Sequence, residues 1–303
     1  MVLIAVLGIL IFILSISYQV ADTAIFQEQY FQRILNYQKA YFISKSAVDA
    51  SRQLFAVDDP KTDDLNELWA IQLPHLNIDD GIVLISLTDE NRKFNINSIS
   101  GKKSDEASGE YGFLKRLLKN HIMDQNTALS IYDWIGDDIS KGSGSYFEIN
   151  GNMIVPAKKA LMDSVHELLF IKGITKEDFY DKVANKKKIT GLKDLITVWG
   201  NAKININTAS YDILMSLDEK MDEKIINQII SRRKEKPFKS LNDLLEINGM
   251  DLNIIYRLNN LCDVKSDVYR ISVTVNMEND KYNFTYIVKR DAGDFNIIAL
   301  FNE

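Results

Sequence analysis

Residues 1–21 read MVLIAVLGILIFILSISYQVA and residues 22–58 continue DTAIFQEQYFQRILNYQKAYFISKSAVDASRQLFAVD. The first part carries no charge and is long enough for the ~20 apolar residues that a helix needs to cross a bilayer core. A cleaved export signal would show a basic start, a shorter apolar core and a small-residue cleavage site. No Gly or Pro interrupts Asp22–Asp58, and Phe26, Tyr30, Ile34, Tyr37, Tyr41, Val48 and Phe55 recur at three-, four- and seven-residue steps. That spacing predicts an amphipathic continuation of the apolar helix, apolar all round at first and packed on a domain by one face further on. The plain alternative is a membrane anchor joined to a separate helix.

Working outward, an acidic loop (Asp58, Asp59, Pro60, Asp63, Asp64) ends this stem. GIVLISLTDENRKFNIN (81–97) alternates on either side of a polar Asp89-Glu90-Asn91 turn, which predicts a β-hairpin with a loose turn. The stretch from Ser98 to Gly109 is a polar boundary, and Glu110–Asn260 has mainly helical spacing, as in Phe113, Leu114, Leu117 and Leu118. Alternation returns in VYRISVTVNM (268–277) and KYNFTYIVKR (281–290), followed by FNIIALF (295–301). The expected fold is α+β: a long N-terminal helix and an antiparallel sheet, with a helical domain inserted between the strands. The expected divisions are 1–21 (membrane part of the stem), 22–103 (stem and first strands), 104–262 (insert) and 263–303 (closing strands).

Three segments of the insert share one template: SVHELLFIKG (164–173), GLKDLITVWG (191–200) and SLNDLLEING (240–249). Each has an acid in its first turn, where the helix dipole favours it, and a closing Gly that permits a left-handed turn. Ser164 with Glu167, and Ser240 with Asp243, predict capping boxes. Such units are the elements of helix-hairpin-helix and SAM-like folds, whose DNA-binding versions present Gly-rich backbone N–H groups to phosphate. Here IKGI and INGM offer one Gly each. The basic SRRKEKPFKS (231–240) could meet phosphate or could be a solvated helix end. KININTASYDILMSL (203–217) predicts a short strand running into a helix capped by Thr208, with Asn205 and Asn207 satisfying nearby backbone groups.

The formal net charge of −6 argues against a dedicated nucleic-acid surface. The single cysteine, Cys262, excludes an internal disulfide. His75, His121 and His166 lack zinc-ligand spacing, and no nucleophile elbow or His-Glu-x-x-His motif is present, which speaks against a hydrolase.

Six stretches together resemble one family: LSIYDWIGDD (129–138), SVHELLFIKGI (164–174), LITVWGNAKININTASYDIL (195–214), RRKEKPFKSLNDLL (232–245), RKFNIN (92–97) and the loop with Tyr146 and Glu148. In this order they are similar to the K-type minor pseudopilins of bacterial type II secretion. The resemblance implies a pilin-like fold with a large helical insertion. It also implies a non-enzymatic role at the tip of the periplasmic pseudopilus, single-pass anchoring in the inner membrane and processing by a prepilin peptidase. The implied partners are the I- and J-type minor pseudopilins, with other pseudopilins meeting the N-terminal helix, and no nucleic acid. With Met1 as the mature first residue, Ala5 stands where major pilins carry a glutamate, as the K-type pattern has it. A competence-type helix-hairpin-helix DNA-binding protein shares the INxNTAs run, and a type IV pilus minor pilin shares the stem; both remain alternatives.

The resemblance further implies calcium. Asp133, Asp137, Asp138 and Glu148 are hard oxygen donors around a Gly/Ser loop, and carbonyls and waters would complete the 6–8 ligands calcium takes. Gly136 stands where the family usually has an acid, and Lys141 enters the shortened loop. The same residues would otherwise form a solvated acidic loop, with Asp133 or Asp137 capping a turn.

Overall fold

A computed structural model describes residues 1–56, 58–78, 81–101, 109–136, 146–149, 153–184, 187–277, 280–291 and 294–302, with backbone only at 146–149, 153–155, 184 and 187. The unbroken helix expected from the N-terminal periodicity is present as α1 (Val2–Ala56). Its buried positions are Ala40, Ser44, Ala47, Val48, Ser51 and Phe55, one face at helical spacing. Four of the six are Ala or Ser, so the helix axis lies close to the sheet beneath it. Phe26 and Tyr30, expected on the packed face, are exposed. The helix leaves the domain before it reaches them, and its apolar first third is exposed all round.

After the acidic loop, β1 (Leu76–Ile78) and β2 (Gly81–Asp89) begin the sheet. The hairpin expected over 81–97 is not formed. β3 (Phe94–Asn95) instead pairs in parallel with a strand about a hundred residues later, because its apolar side chains belong to a second core. That core is built by α2 (Gly109–Asn120), α3 (Thr127–Ile135), two short antiparallel pairs, β4 (Tyr146–Ile149) with β5 (Met153–Pro156), and, after the one-turn α4 (Lys176–Phe179), β6 (Asp181–Ala184) with β7 (Lys187–Thr190). It continues through α5 (Leu192–Leu195), β8 (Ile196–Thr197), β9 (Ile204–Asn205), α6 (Tyr211–Ser216), α7 (Glu223–Glu235), α8 (Leu252–Leu258) and β10 (Cys262–Asp263). Phe94, Ile96 and Ile99 are fully buried in this core, so residues before 104 are already part of the insert.

The chain then returns as β11 (Val268–Met277), β12 (Asp280–Asp291) and β13 (Asp294–Asn302). The five strands lie in the order β1-β2-β11-β12-β13, antiparallel throughout. β11 takes the central place and receives β2 from the far side of the insertion. One sheet face carries Val83, Ile85, Leu87, Ile271, Val273, Tyr286 and Val288, and packs on α1. Phe55 of α1 meets Tyr269 and Phe295 at ring-centroid distances of 4.7 and 5.7 Å, and Ser44 Oγ hydrogen-bonds Tyr286 Oη at 2.7 Å.

Two of the repeat segments form short 3-10 helices, 165–170 and 241–246, each with a capping box; the middle segment forms α5 and β8. Glu167 Oε1 accepts from the backbone N–H of Asp163 and Ser164, and the Asp243 carboxylate from those of Lys239 and Ser240. Gly173 and Gly249 sit at φ +96° and +101°, and a Cβ there would lie 2.5 Å from Thr127 Oγ1 and 3.0 Å from Ile225. Glycine is required at both turns by conformation and by close packing.

The Phe55 contacts yield a stability contrast. Phe55→Ala should lower unfolding free energy by about 3–5 kcal/mol in denaturant melts of the detergent-solubilised full chain. Phe26→Ala should leave it unchanged within about 0.5 kcal/mol. Equal losses from both would contradict a stem that packs only by its last third.

Candidate functional site at the domain junction

Asp89-Glu90-Asn91 lies where the chain leaves the sheet for the insert, and Asp263–Val268 lies where it returns. Asn91 ties the two crossings together. Its Oδ1 accepts from the N–H groups of Asp267 (3.2 Å) and Val268 (3.0 Å). Its Nδ2 donates to Asn201 Oδ1, Lys203 O and Asp267 Oδ1 at 3.0, 3.2 and 2.9 Å. Deeper in, Asp89 is buried and accepts four hydrogen bonds. Oδ1 takes the N–H of Asn91 (2.7 Å), and Oδ2 takes Thr208 Oγ1 (2.5 Å), Ser266 Oγ (2.7 Å) and Asn205 Nδ2 (3.3 Å).

Thr208 therefore does not cap the following helix as expected; its hydroxyl is spent on Asp89, and Ser210 caps α6. Asn205 and Asn207 are likewise not limited to local groups. Asn205 Oδ1 accepts from Asn207 N locally, but its Nδ2 reaches Asp63 O (2.9 Å) and Ser266 Oγ (2.8 Å). Asn207 exchanges two 2.9 Å hydrogen bonds with the backbone of Phe238.

Beside this hub the acidic loop after α1 folds onto the sheet edge. Asp63 accepts from Ser266 N (2.7 Å), from Tyr269 Oη and from Arg290 Nη1 (2.7 Å), and Arg290 Nη1 also lies 2.9 Å from Asp58 Oδ2. Glu67 accepts from Trp69 Nε1 at 2.5 Å. One oxygen each of Asp58, Asp63 and Glu67 lie within 4.8 Å of one another. Three carboxylates could hold a cation, but the Arg290 guanidinium already touches two of them and stacks 5.6 Å from the Phe55 ring centre. Burial raises the pKa of all three acids, of Glu67 to about 8 with the neighbouring acids adding to it, and of Asp89 to about 7 against its four donors. The sequence showed the acids of this loop but not their partners, which arrive from residues more than two hundred positions later.

Of the residues singled out for metal, Asp133 lies near the end of α3, and Glu148 lies in β4, where only the backbone is described. Asp137 and Asp138 lie outside the described residues. The basic stretch 231–240 is engaged internally. Arg232 pairs with Glu246 (2.8 Å) and stacks on Phe238, and Arg233 is buried and donates to Ile206 O at 2.7 Å. His121 Nδ1 lies 2.7 Å from Leu117 O, and His166 contacts Ser164 Oγ at 3.3 Å, with Asp163 engaged by Lys158.

Profiles of the family described as type II secretion system (T2SS), protein K, match residues 92–184 and 204–263. No curated protein matches the chain. A chain from the crystal structure of the GspK-GspI-GspJ complex of the enterotoxigenic Escherichia coli type 2 secretion system is similar at 15% identity and a TM-score of 0.70. The match covers 90% of this chain and 98% of that one. At that identity the likeness shows the fold.

The junction gives a pH prediction with a definite sign. Asp89 has an ordinary pKa of 3.8 when unfolded and about 7 when folded. Between those values the folded chain holds a proton that the unfolded chain has released, so stability falls as pH rises through this window. The thermal midpoint should drop from pH 5 to pH 8. Asp89→Asn should flatten that slope while lowering the pH 5 value, because its amide N–H₂ opposes the Asn91 N–H. A slope unchanged by Asp89→Asn would place the titration elsewhere.

Proposed function

The chain belongs to the type II secretion system protein K family, and from that premise we propose that it is a non-enzymatic minor pseudopilin at the tip of the secretion pseudopilus. The observation that carries the reading is α1: one uninterrupted helix, apolar and unburied over its first third, packed on the sheet over its last. An apolar helix of that length can cross a membrane, and α1 runs into the domain without a break. The subunit can therefore be inserted laterally into a bundle of similar stems. We place it as a single-pass protein of the inner membrane with its bulk in the periplasm, processed by a prepilin peptidase. Its partners in this reading are I- and J-type minor pseudopilins, which the names in the similar complex support. The insert occupies the space beside the sheet into which another subunit would stack, so the protein starts and caps the fibre instead of extending it. Ala5 fits that place, since a position-5 carboxylate would need a neighbouring terminal amine to be tolerated in an apolar bundle.

Calcium held by Asp133, Asp137, Asp138 and Glu148 is part of this proposal, supported by the hard-oxygen character of the donor set. Its chemistry would be structural, joining the end of α3 to β4. The helix-hairpin-helix reading of the repeats rests on their paired turns. The internal engagement of Arg232 and Arg233 favours a packing role for those repeats over phosphate contact.

Co-expression of the full-length chain with I- and J-type minor pseudopilins should yield a ternary complex through detergent extraction and affinity purification. Leu10→Arg, which places a charge in the apolar third, should abolish it while leaving the outer domain folded. Recovery of the chain alone in every case would overturn the tip assignment. Separately, calcium should raise the thermal midpoint by mass action, and the Asp137→Asn/Asp138→Asn pair should lose that rise; equal rises in both would remove calcium from this loop.

A further inference from the structure

The insert overhangs the sheet face that points away from α1, and between them lies a cleft of about 840 Å³. Its floor is set by strand register. Ser86, Ser272, Thr285 and Phe301 stand opposite one another across β2, β11, β12 and β13, with Thr88 beside Arg270 one step along. Its wall comes from the insert: His166, Tyr180, Lys193 and Trp199. Trp199 approaches Phe301 at 6.4 Å and closes one end.

What distinguishes the cleft is unspent hydrogen-bonding capacity. Around it cations are paired: Arg270 and Lys93 with the buried Glu90 (2.5 and 3.7 Å), Lys158 with Asp163 and Glu167, Lys182 with Asp178, and Lys188 with Asp181. Arg92 and Lys193, which face the cleft, form no ion pair among the described residues, and Lys193 Nζ lies 5.0 Å over the Tyr180 ring. The facing anions are Asp163, already engaged by Lys158, and Asp194. The floor hydroxyls of Ser86, Thr88, Ser272 and Thr285 have no hydrogen-bond partner among the described residues, whereas Thr274 on the same face of β11 bonds Asn283 at 2.9 Å.

Free cations and hydroxyls beside aromatic side chains, in a chain of net charge −6, are complementary to an anionic, partly apolar group. Size narrows the class. The four-strand row spans three interstrand spacings, about 14 Å, which is the reach of about four or five residues of extended chain. We propose that this cleft binds an extended acidic peptide segment of a partner protein. Its carboxylates would meet Arg92, Lys193 and the floor hydroxyls, and an apolar side chain would pack against Tyr180 and Trp199. This inference does not depend on the tip assignment.

The test uses the full-length chain in detergent micelles and fluorescence anisotropy of a labelled, end-capped acidic pentapeptide with a central phenylalanine. The probe should bind in a salt-sensitive manner, and its isosteric amide counterpart about tenfold more weakly or worse. Arg92→Ala/Lys193→Ala should weaken the acidic probe by about tenfold or more. Because neither side chain is paired, the thermal midpoint should be unchanged. Ser86→Tyr, which fills the floor without altering charge, should also abolish binding, and Lys45→Ala on the stem should not. Equal binding of both peptides, or no effect of either cleft variant, overturns the proposal. Displacement at equal concentration by inorganic phosphate or a short oligonucleotide would make this a general anion site and overturns it as well.

Discussion

Everything in this architecture depends on how the chain passes between two hydrophobic cores without leaving polar groups stranded. Both crossings, at Asp89–Asn91 and at Asp263–Val268, run through buried surroundings, where an unpaired amide or carboxylate costs ~1–3 kcal/mol or more. The solution is a closed set of hydrogen bonds in which Ser266 Oγ both accepts from Asn205 and donates to Asp89. Asn91 reads the backbone of both crossings at once. Removing any one member leaves a donor or acceptor buried with nothing in its place, so the set behaves as a unit.

The same set links the stem to the insert. Asp63, from the loop that follows α1, accepts from Ser266 N, and Tyr269 and Arg290 bring the sheet to the same carboxylate. Phe55, the last buried residue of α1, contacts Tyr269 and underlies Arg290. A displacement of the helix end is thus felt within one or two contacts at the root of the insert. Arg290 performs the electrostatic part of this connection. It sets a fixed positive charge against Asp58 and Asp63, whose burial would otherwise favour their neutral forms.

What the sequence made legible follows from how local each signal was. The α1 helix was readable because its period and its lack of Gly and Pro are properties of consecutive residues, and β11 and β12 were readable because a short turn joins them. The capping boxes at Ser164 and Ser240 were likewise complete within four residues. The hairpin expected at 81–97 failed because β2 finds its partner, β11, nearly two hundred residues away, and Asp89-Glu90-Asn91 imitates a turn while serving as a domain crossing. Thr208 failed as a cap for a related reason. A hydroxyl beside a helix start is a good cap only if no stronger acceptor is near, and Asp89 is such an acceptor. The junction itself could not be seen, since Asp63, Asp89, Asn205, Ser266 and Arg290 come from five separate parts of the chain and carry no common spacing. Of the expected metal residues, the spacing identified donors but not their arrangement.

Rigidity at the junction decides what the insert can do. An insert joined by two solvated linkers would swing clear of the sheet, and the face of β2, β11, β12 and β13 that points away from α1 would be open. Here Asn95 Nδ2 holds the carbonyls of Trp199 and Gly200, and Asn91 holds Asn201 and Lys203, so the segment carrying Trp199 is fixed over the sheet on the side of Phe301. The overhang is therefore a constant of the fold, set by side-chain amides. Two consequences share that one cause. The insert stays beside the sheet, which is the geometric condition for ending a fibre in the proposed role, and the cleft beneath it keeps a defined width, which is the condition for selective binding there.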